Sequence, residues 1–294
     1  MYAPDPSERS VWFVELALYM RSRGLSAPKI YEDELEHGLI LLEDLGEEQF
    51  FRILAGIDAE KEWLLYREAT RVLIDLHGEP MPSSLRGVPI EPYSNERMIT
   101  EANTFLEWHW PELGAGPASE ECRTSFEAAW RQVLPAGRYD DERLVQLDYH
   151  SPNLMWLPAR EGAKRVGILD FQDAMRGPAA YDLVSLLQDA RRDVQEGIED
   201  NMVGVYLASR PGLDRNAFLA SYAVMGAQRA TRILGVFVRL WRRDGKPQYL
   251  RHLPRLWRYL DADLSHPALA PLRAWFQDNV PAERRLDLSE KAAA

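Results

Sequence analysis

Apolar residues recur every three to four positions along much of the chain, which is the spacing of an amphipathic helix. The first such stretch covers residues 11–23, ends at Gly24, and has Ser7 or Ser10 as its candidate N-cap. Similar helical patterns occupy residues 47–77, 118–134, 215–243, 248–260 and 267–279. The chain is therefore predicted to be largely helical.

Shorter segments lack this period and are predicted to be extended. Residues 26–31 and 38–46 form one such pair, and residues 79–94, which hold four prolines, are predicted to be a loop. Three further apolar segments, at 144–145, 154–157 and 165–169, surround polar residues. They predict the order strand, loop, strand, turn, strand, and the whole pattern indicates an α+β protein.

Two more helices flank this strand region in the predicted order of elements. Ser94 or Asn95 begins a helix after the proline-rich loop. A Gly-Pro pair at 177–178 interrupts the chain, and Tyr181 then begins a helix that continues to Val194.

Three polar residues fall at one end of the predicted strands. Asp148 and Asn153 lie five positions apart in one loop, and Asp170 ends the following apolar run. Phosphoryl transfer needs a carboxylate that orients the attacking hydroxyl and accepts its proton, and an amide and a carboxylate that hold Mg²⁺. Each residue alone is equally typical of an ordinary turn or cap, but the set together favours phosphoryl transfer.

In this region the chain resembles the aminoglycoside phosphotransferase-like kinases, which are relatives of the protein kinases. The resemblance implies a protein kinase-like α+β fold, with ATP and Mg²⁺ as cofactors. It implies that Asp148 is the catalytic base and that Asn153 and Asp170 are the metal ligands. It also implies that Asp182 braces the catalytic loop, with capping of its own helix as the alternative.

The resemblance also implies two domains. Residues 1–46 would be a partial N-lobe, and residues 47–294 a helical C-lobe with the catalytic loop and the acceptor-binding helices. The N-lobe would end in a hinge, Glu43, Asp44 and Leu45, whose backbone meets adenine. An edge strand that ends in an acidic turn is the alternative interpretation of that segment.

A glycine-rich hairpin and a strand lysine cover the phosphates in kinase-like folds. Here no glycine precedes Gly24 and no lysine precedes Lys29, and the resemblance aligns residues 1–4 with the end of the third N-lobe strand. We expect an upstream extension of about 30–50 residues with glycine or serine at a hairpin tip, without which ATP binds weakly. A late start, a shortened chain and a degenerate pseudokinase that only binds ligands all stay open.

Three segments narrow the resemblance to the anomeric amino-sugar kinases of cell-wall recycling. They are LDYHSPNLMWLP at 147–158, the segment 167–194, and the segment 225–260. This family phosphorylates the C1 hydroxyl of N-acetylmuramate and N-acetylglucosamine. A kinase for an aminoglycoside, choline or homoserine would share the catalytic set and differ in the acceptor helices.

Candidate acceptor-binding residues follow from this resemblance and from residue type. Gln228 and Arg232 on the long helix, and Arg176 after the metal Asp, supply donors and positive charge for a neutral or anionic sugar. Glu101 and Trp108 could hydrogen-bond and stack the sugar. Core packing, a solvated helix face or a salt bridge explains each of them equally well.

Composition excludes several classes of function. The 294 residues carry 35 basic and 46 acidic side chains, a net charge of −11, which disfavours nucleic acid as a partner. Cys122 is the only cysteine, so there is neither a disulfide framework nor a cysteine metal site, and the six histidines lack the paired spacing of a metal hydrolase. No leader or apolar run of about 18 residues is seen, so a cytoplasmic protein without membrane contact is expected. The sequence indicates no obligate protein partner.

Overall fold

The computed structural model describes residues 8–114, 116–285 and 288, and these residues form two compact units. The first unit contains residues 8–92, 140–189 and 194–213, and the second contains residues 93–139, 190–193 and those from 214 onward. The predicted lobe boundary at residue 46 stays a prediction. None of the helices in the described ranges is long and apolar enough to cross a membrane.

The first unit begins with helix α1, Glu8–Ser22, which ends before Gly24 as predicted. Gly24 has a φ of +79°, a left-handed conformation that glycine adopts without strain. Ser7 lies outside the described residues. Ser10 was a candidate cap but lies buried inside the helix, so that alternative is wrong.

A two-stranded antiparallel sheet follows, with β1 at Ile30–Glu34 and β2 at Leu39–Leu42. In β2 only Ile40 is fully buried, while Leu39 and Leu41 point to the opposite face, as strand alternation requires. The predicted extended segments are therefore confirmed, and the strand β2 leads directly into residues 43–45.

The predicted helix at 47–77 is in fact two helices, α2 at Phe50–Ile53 and α3 at Ala59–Leu76. Asp58 begins α3 as an N-cap, because its side chain accepts a hydrogen bond from the Lys61 N–H at 2.8 Å. The periodicity continued across this break, which is why sequence alone did not find it. The predicted loop at 79–94 holds a small hairpin, β3 at Ser84–Leu85 and β4 at Val88–Pro89.

Two further strand pairs confirm the predicted order of strand, loop, strand, turn, strand. Strand β6, Leu154–Trp156, pairs with β7, Val166–Ile168, and β5, Arg143–Val145, pairs with β8, Met175–Gly177, which the sequence analysis missed. Helix α6, Ala180–Leu187, ends seven residues before the predicted Val194. The reason is that residues 190–193 belong to the second unit, where Asp193 pairs with Arg255. Helix α7, Ile198–Ala208, completes the first unit.

The second unit is helical. Its helices are α4 at Asn95–Ala102, α5 at Glu120–Gly137, α8 at Arg215–Asp244, α9 at Leu253–Leu264 and α10 at Ala270–Asn279. Ser94 is the N-cap of α4, accepting from the Arg97 N–H at 3.2 Å. The last two predicted helices begin as 3₁₀ turns, at 247–252 and 267–269. A π-helical turn at Phe105–His109 packs against α8 where Gly235 leaves room for the backbone of Thr104.

Candidate active site

The loop that carries Asp148 is held from below by one buried carboxylate. Asp182, fully buried in α6, accepts from the Gln146 N–H at 2.8 Å and from the Leu147 N–H at 3.1 Å. Leu147 has a φ of +67°, which is costly for a branched residue and persists only where surrounding contacts hold it. These hydrogen bonds therefore fix the backbone immediately before Asp148. They support the bracing role of Asp182, and the N-cap of its helix is Ala179.

A histidine that the sequence analysis missed stands beside this carboxylate. Nε2 of His77 lies 3.8 Å from Oδ2 of Asp182 and 3.1 Å from the Leu144 carbonyl oxygen, and Nδ1 lies 2.9 Å from the Tyr206 hydroxyl. The side chains of His77, Asp182 and Tyr206 are all buried, and burial raises the pKa of Tyr206. The available signal was position: His77 continues the apolar face of α3 four residues after Leu73.

Asn153 connects the three predicted catalytic residues. Its Nδ2 donates to the backbone carbonyl of Asp148 at 3.0 Å and lies 3.4 Å from Oδ2 of Asp170. The backbone carbonyl of Asn153 in turn accepts from the Leu169 N–H at 2.9 Å. The structure thus brings together Asp148, Asn153 and Asp170, from a loop and the end of β7. Gln172, which the sequence did not indicate, donates to Oδ1 of Asp170 at 2.6 Å.

The donor set fits a hard divalent cation. Because the amide nitrogen of Asn153 faces Asp148 and Asp170, its amide oxygen remains for a metal, and Asp170 is an exposed carboxylate. Mg²⁺ prefers one or two such protein oxygens and completes its shell with water and phosphate oxygens. Among the described residues no cluster of three or more His, Cys, Asp or Glu could hold a metal.

The acidic side chains of the predicted hinge form hydrogen bonds with other residues of the protein. The Glu43 carboxylate accepts from Arg160 at 2.6 Å, from Arg21 at 3.4 Å and from the Lys29 N–H at 3.1 Å. Asp44 accepts from the Gly46 N–H at 2.8 Å. The Glu43 N–H also donates to the Lys29 carbonyl at 2.8 Å, so the other backbone groups of residues 43–45 are the candidates for adenine.

Leu45, the last hinge residue, packs against strand β7. A Cβ added to Gly167 would lie 2.8 Å from Cδ1 of Leu45, so a larger residue there would displace the Leu45 side chain. Arg176 lies in β8 opposite Leu144, and its N–H donates to the Glu91 carbonyl at 3.0 Å. The hinge, Arg176 and the catalytic set all belong to the first unit.

The other acceptor candidates belong to the second unit, where two of them meet. The Glu101 carboxylate accepts from Tyr93 at 2.6 Å and from Arg97 at 3.1 Å, and it lies 3.7 Å from Nε of Arg232. Tyr93 and Arg97 were not predicted, although Arg97 stands one helical turn before Glu101.

Gln228 and Trp108 differ from this pair in burial. Gln228 is fully buried, its Nε2 donates to the Met98 carbonyl at 3.1 Å, and its Oε1 has no hydrogen-bond partner among the described residues. Core packing therefore accounts for the amide nitrogen of Gln228 but not for its amide oxygen. Trp108 is half-buried in the π-helical turn.

Comparison with known proteins decides the family. Residues 2–219 match the model described as "Phosphotransferase enzyme family". The chain belongs to this phosphotransferase family. The resemblance seen in the sequence is confirmed, and Asp148, Asn153 and Asp170 lie inside the matched range.

Curated relatives in this phosphotransferase family share one name, N-acetylmuramate/N-acetylglucosamine kinase. The protein from Caulobacter vibrioides is 43% identical over 278 residues, which is 93% of this chain and 76% of that protein. The proteins from Neisseria meningitidis and Pseudomonas putida are 33% and 30% identical, over 85% and 92% of this chain and 74% and 78% of theirs.

Solved structures of similar shape confirm the predicted protein kinase-like α+β fold. A choline/ethanolamine kinase family protein from Mesorhizobium loti superposes with a TM-score of 0.58 at 13% identity, over 90% of this chain and 84% of that chain. An ethanolamine kinase from Plasmodium vivax gives 0.59 at 12% identity, over 94% and 76%. At such low sequence identities the structural similarity is evidence for the fold only.

Proposed function

We propose that the protein is an ATP-dependent kinase that phosphorylates the anomeric C1 hydroxyl of N-acetylmuramate, N-acetylglucosamine or both. The observation that carries the proposal is the network of Asp148, Asn153 and Asp170 in a chain 43% identical to a kinase named for these sugars. An anomeric hydroxyl is more acidic than an ordinary alcohol. A carboxylate base of modest strength is therefore sufficient.

In the proposed reaction the C1 oxygen forms a bond to the γ-phosphorus of ATP while the bond to the bridging oxygen of ADP breaks. The Asp148 carboxylate orients the hydroxyl and accepts its proton, and the brace from Asp182 keeps the Asp148 backbone in place. Asn153 and Asp170 would hold Mg²⁺, which neutralises charge on the phosphate oxygens when it is bound. The hinge backbone at 43–45 would receive adenine.

Glu101, Trp108, Gln228, Arg232 and Arg176 remain our candidates for binding the acceptor. The pair formed by Glu101 and Arg232 supports this best, because Glu101 also binds Arg97 and two guanidinium groups thus share one carboxylate. Guanidinium groups at this position suit a neutral or anionic sugar better than a cationic aminoglycoside.

Phosphorus and proton NMR of the reaction products tests the proposal. With ATP and either sugar, we expect a doublet from an anomeric phosphate coupled to the C1 proton. A phosphate on C6, or turnover only with aminoglycosides, choline or homoserine, would show that the acceptor is another molecule. ATP binding without transfer to any of these acceptors would identify a binding module instead.

A further inference from the structure

A second cleft, of about 830 Å³, lies within the first unit and contains none of the phosphotransfer candidates. Its walls are the last residues of α1, the C-terminal end of α3, the start of β5 and the segment after α7. The charged side chains that line it include Arg143 on β5 and Arg210 after α7. A volume of this size is typical of small-molecule sites.

Arg143 and Arg210 share a single buried carboxylate. Nε of Arg143 donates to Oδ1 of Asp140 at 2.7 Å, and Nη1 of Arg210 donates to Oδ2 at 2.5 Å. The Asp140 side chain is only 7% exposed, so it cannot turn outward without losing both bonds. Two guanidinium charges on one carboxylate leave one positive charge in excess.

Arg143 also has unused hydrogen-bonding capacity. Its Nη1 is enclosed and has no hydrogen-bond partner among the described residues, although its side chain is 16% exposed overall. An enclosed guanidinium nitrogen without an acceptor is costly. A ligand oxygen that reached this nitrogen would relieve the cost.

With Asp140, the charged side chains of the cleft are balanced overall, three basic (Arg23, Arg143, Arg210) against three acidic (Asp75, Glu79, Asp140), so the positive excess is local to Arg143 and Arg210. Arg23 is paired with Glu79 at 2.6 Å, which balances both. Asp75 also lines the cleft, and burial raises the pKa of its carboxyl, with Arg71 and Arg23 opposing that shift. The lining also includes the hydroxyl of Ser209, which can donate to an anionic oxygen, whereas the Ser22 hydroxyl already donates to the Tyr19 carbonyl at 2.7 Å.

We propose that this cleft binds a small phosphate monoester, with its phosphoryl oxygens accepting from Arg143 and Arg210. The planar guanidinium fork matches phosphate oxygens two at a time, which an ammonium group does not. The ring of a sugar phosphate would fill the remaining volume of the cleft. This site is separate from the catalytic set and does not depend on which acceptor the enzyme uses.

The cleft is connected to the catalytic loop by a continuous chain of contacts. Arg210 also donates to the Tyr206 hydroxyl at 2.7 Å, and Tyr206 contacts His77, the neighbour of Asp182. Arg143 begins β5, the strand that leads into Asp148. A ligand in the cleft therefore orders the segments on which the catalytic loop rests, and hydrogen exchange over residues 143–148 should slow when it binds.

The test is calorimetric titration of the full chain with inorganic phosphate and with glucose 1-phosphate, in the presence of a saturating non-hydrolysable ATP analogue. We expect binding that Arg143→Gln weakens by about tenfold or more, because charged hydrogen bonds are lost. Arg143→Lys, which keeps the charge but not the fork, should be intermediate. Arg131→Gln removes the same charge from an exposed residue of α5 and should change nothing.

If Arg143→Gln does not fold, Ser209→Glu tests the phosphate site instead. Ser209 is exposed, and an added carboxylate there should repel phosphate and weaken its binding. Three results would overturn the site. They are no binding at millimolar phosphate, equal binding in the cleft variants and the wild type, and loss of binding when the ATP analogue is present.

Discussion

The loop that carries Asp148 in the first unit and helices α4 and α8 of the second unit both contain buried polar side chains, but these side chains bind different partners. In the first unit both oxygens of Asp182 accept backbone N–H groups and hold Leu147 at a φ of +67°. In the second unit Gln228 satisfies only one end of its amide, and Glu101 pairs with side chains. The first arrangement determines a backbone geometry. The second arrangement is a set of side chains that can be substituted without moving the backbone.

The largest effect should follow from removing the proposed base. Asp148→Asn should lower kcat by about 10²–10⁴, the usual contribution of a positioned base, because the amide cannot accept the hydroxyl proton. ATP affinity should stay near the wild-type value, since the metal candidates and the hinge are unchanged. Steady-state kinetics with nucleotide titration measures both, and an unchanged kcat would exclude Asp148 as the base.

The brace beneath the loop should be the next most sensitive position. Asp182→Asn replaces one of two acceptors with an amide NH₂, so a buried backbone N–H loses its partner, at a cost of about 3 kcal/mol in the free energy of unfolding. Urea denaturation measures this. Asp193→Asn is the matched control in the second unit: its carboxylate is 63% exposed, and its surface ion pairs should contribute less than about 1 kcal/mol. Equal losses in the two variants would remove the distinction between the regions.

The sequence predicted that the three candidate residues of the first region lie together, because they are close in the chain. Asp148, Asn153 and Asp170 lie within 23 positions of one another on short strands, so spacing alone brought them together. His77 was missed because its partners, Leu144, Asp182 and Tyr206, are 67 or more positions away and only the fold makes them neighbours.

In the second region, residue type and helical period gave the helix but not the function of its side chains. A hydrophobic period of 3.6 residues identifies the buried face of a helix but not the contacts of its polar side chains. In the structure Gln228 faces Met98 in the core, while Arg232 approaches Glu101. The break between α2 and α3 and the early end of α6 were missed for a related reason. The apolar pattern continued past the end of α2, although Asp58 begins a new helix there, and residues 188–194 contain neither glycine nor proline to mark the end of α6.

Acid should destabilise the second unit through one buried histidine. His109 is fully buried, and desolvation lowers its pKa to about 4 from 6.5. Between about pH 6.5 and pH 4, His109 therefore binds a proton in the unfolded chain but not in the folded chain. The free energy of unfolding falls as the pH is lowered through this range. At pH 5 this amounts to about 2 kcal/mol relative to pH 8.

His109→Phe should remove this part of the pH dependence, because phenylalanine cannot titrate and the site is already aromatic, with the ring of Phe105 stacked at 5.2 Å. Urea denaturation of both proteins at pH 8 and pH 5 gives the comparison, in which carboxylates titrate alike in both. If both proteins lose the same stability between the two pH values, His109 is not neutral in the fold.

The smallest effect should be on acceptor affinity, and it tests whether the side chains of the second unit can change without harm to catalysis. Arg232→Gln removes one of the two guanidinium groups on Glu101. We expect KM for an anionic acceptor such as N-acetylmuramate to rise about tenfold, which is a loss of about 1.4 kcal/mol. KM for neutral N-acetylglucosamine should rise less, and kcat should stay within about twofold for both, since uniform binding is lost. Arg131→Gln, which breaks a similar ion pair with Glu127 in α5, is the control. A fall in kcat with unchanged KM would mean that Arg232 acts on the reacting groups, and the contrast between a fixed catalytic loop and adjustable helix side chains would then be wrong.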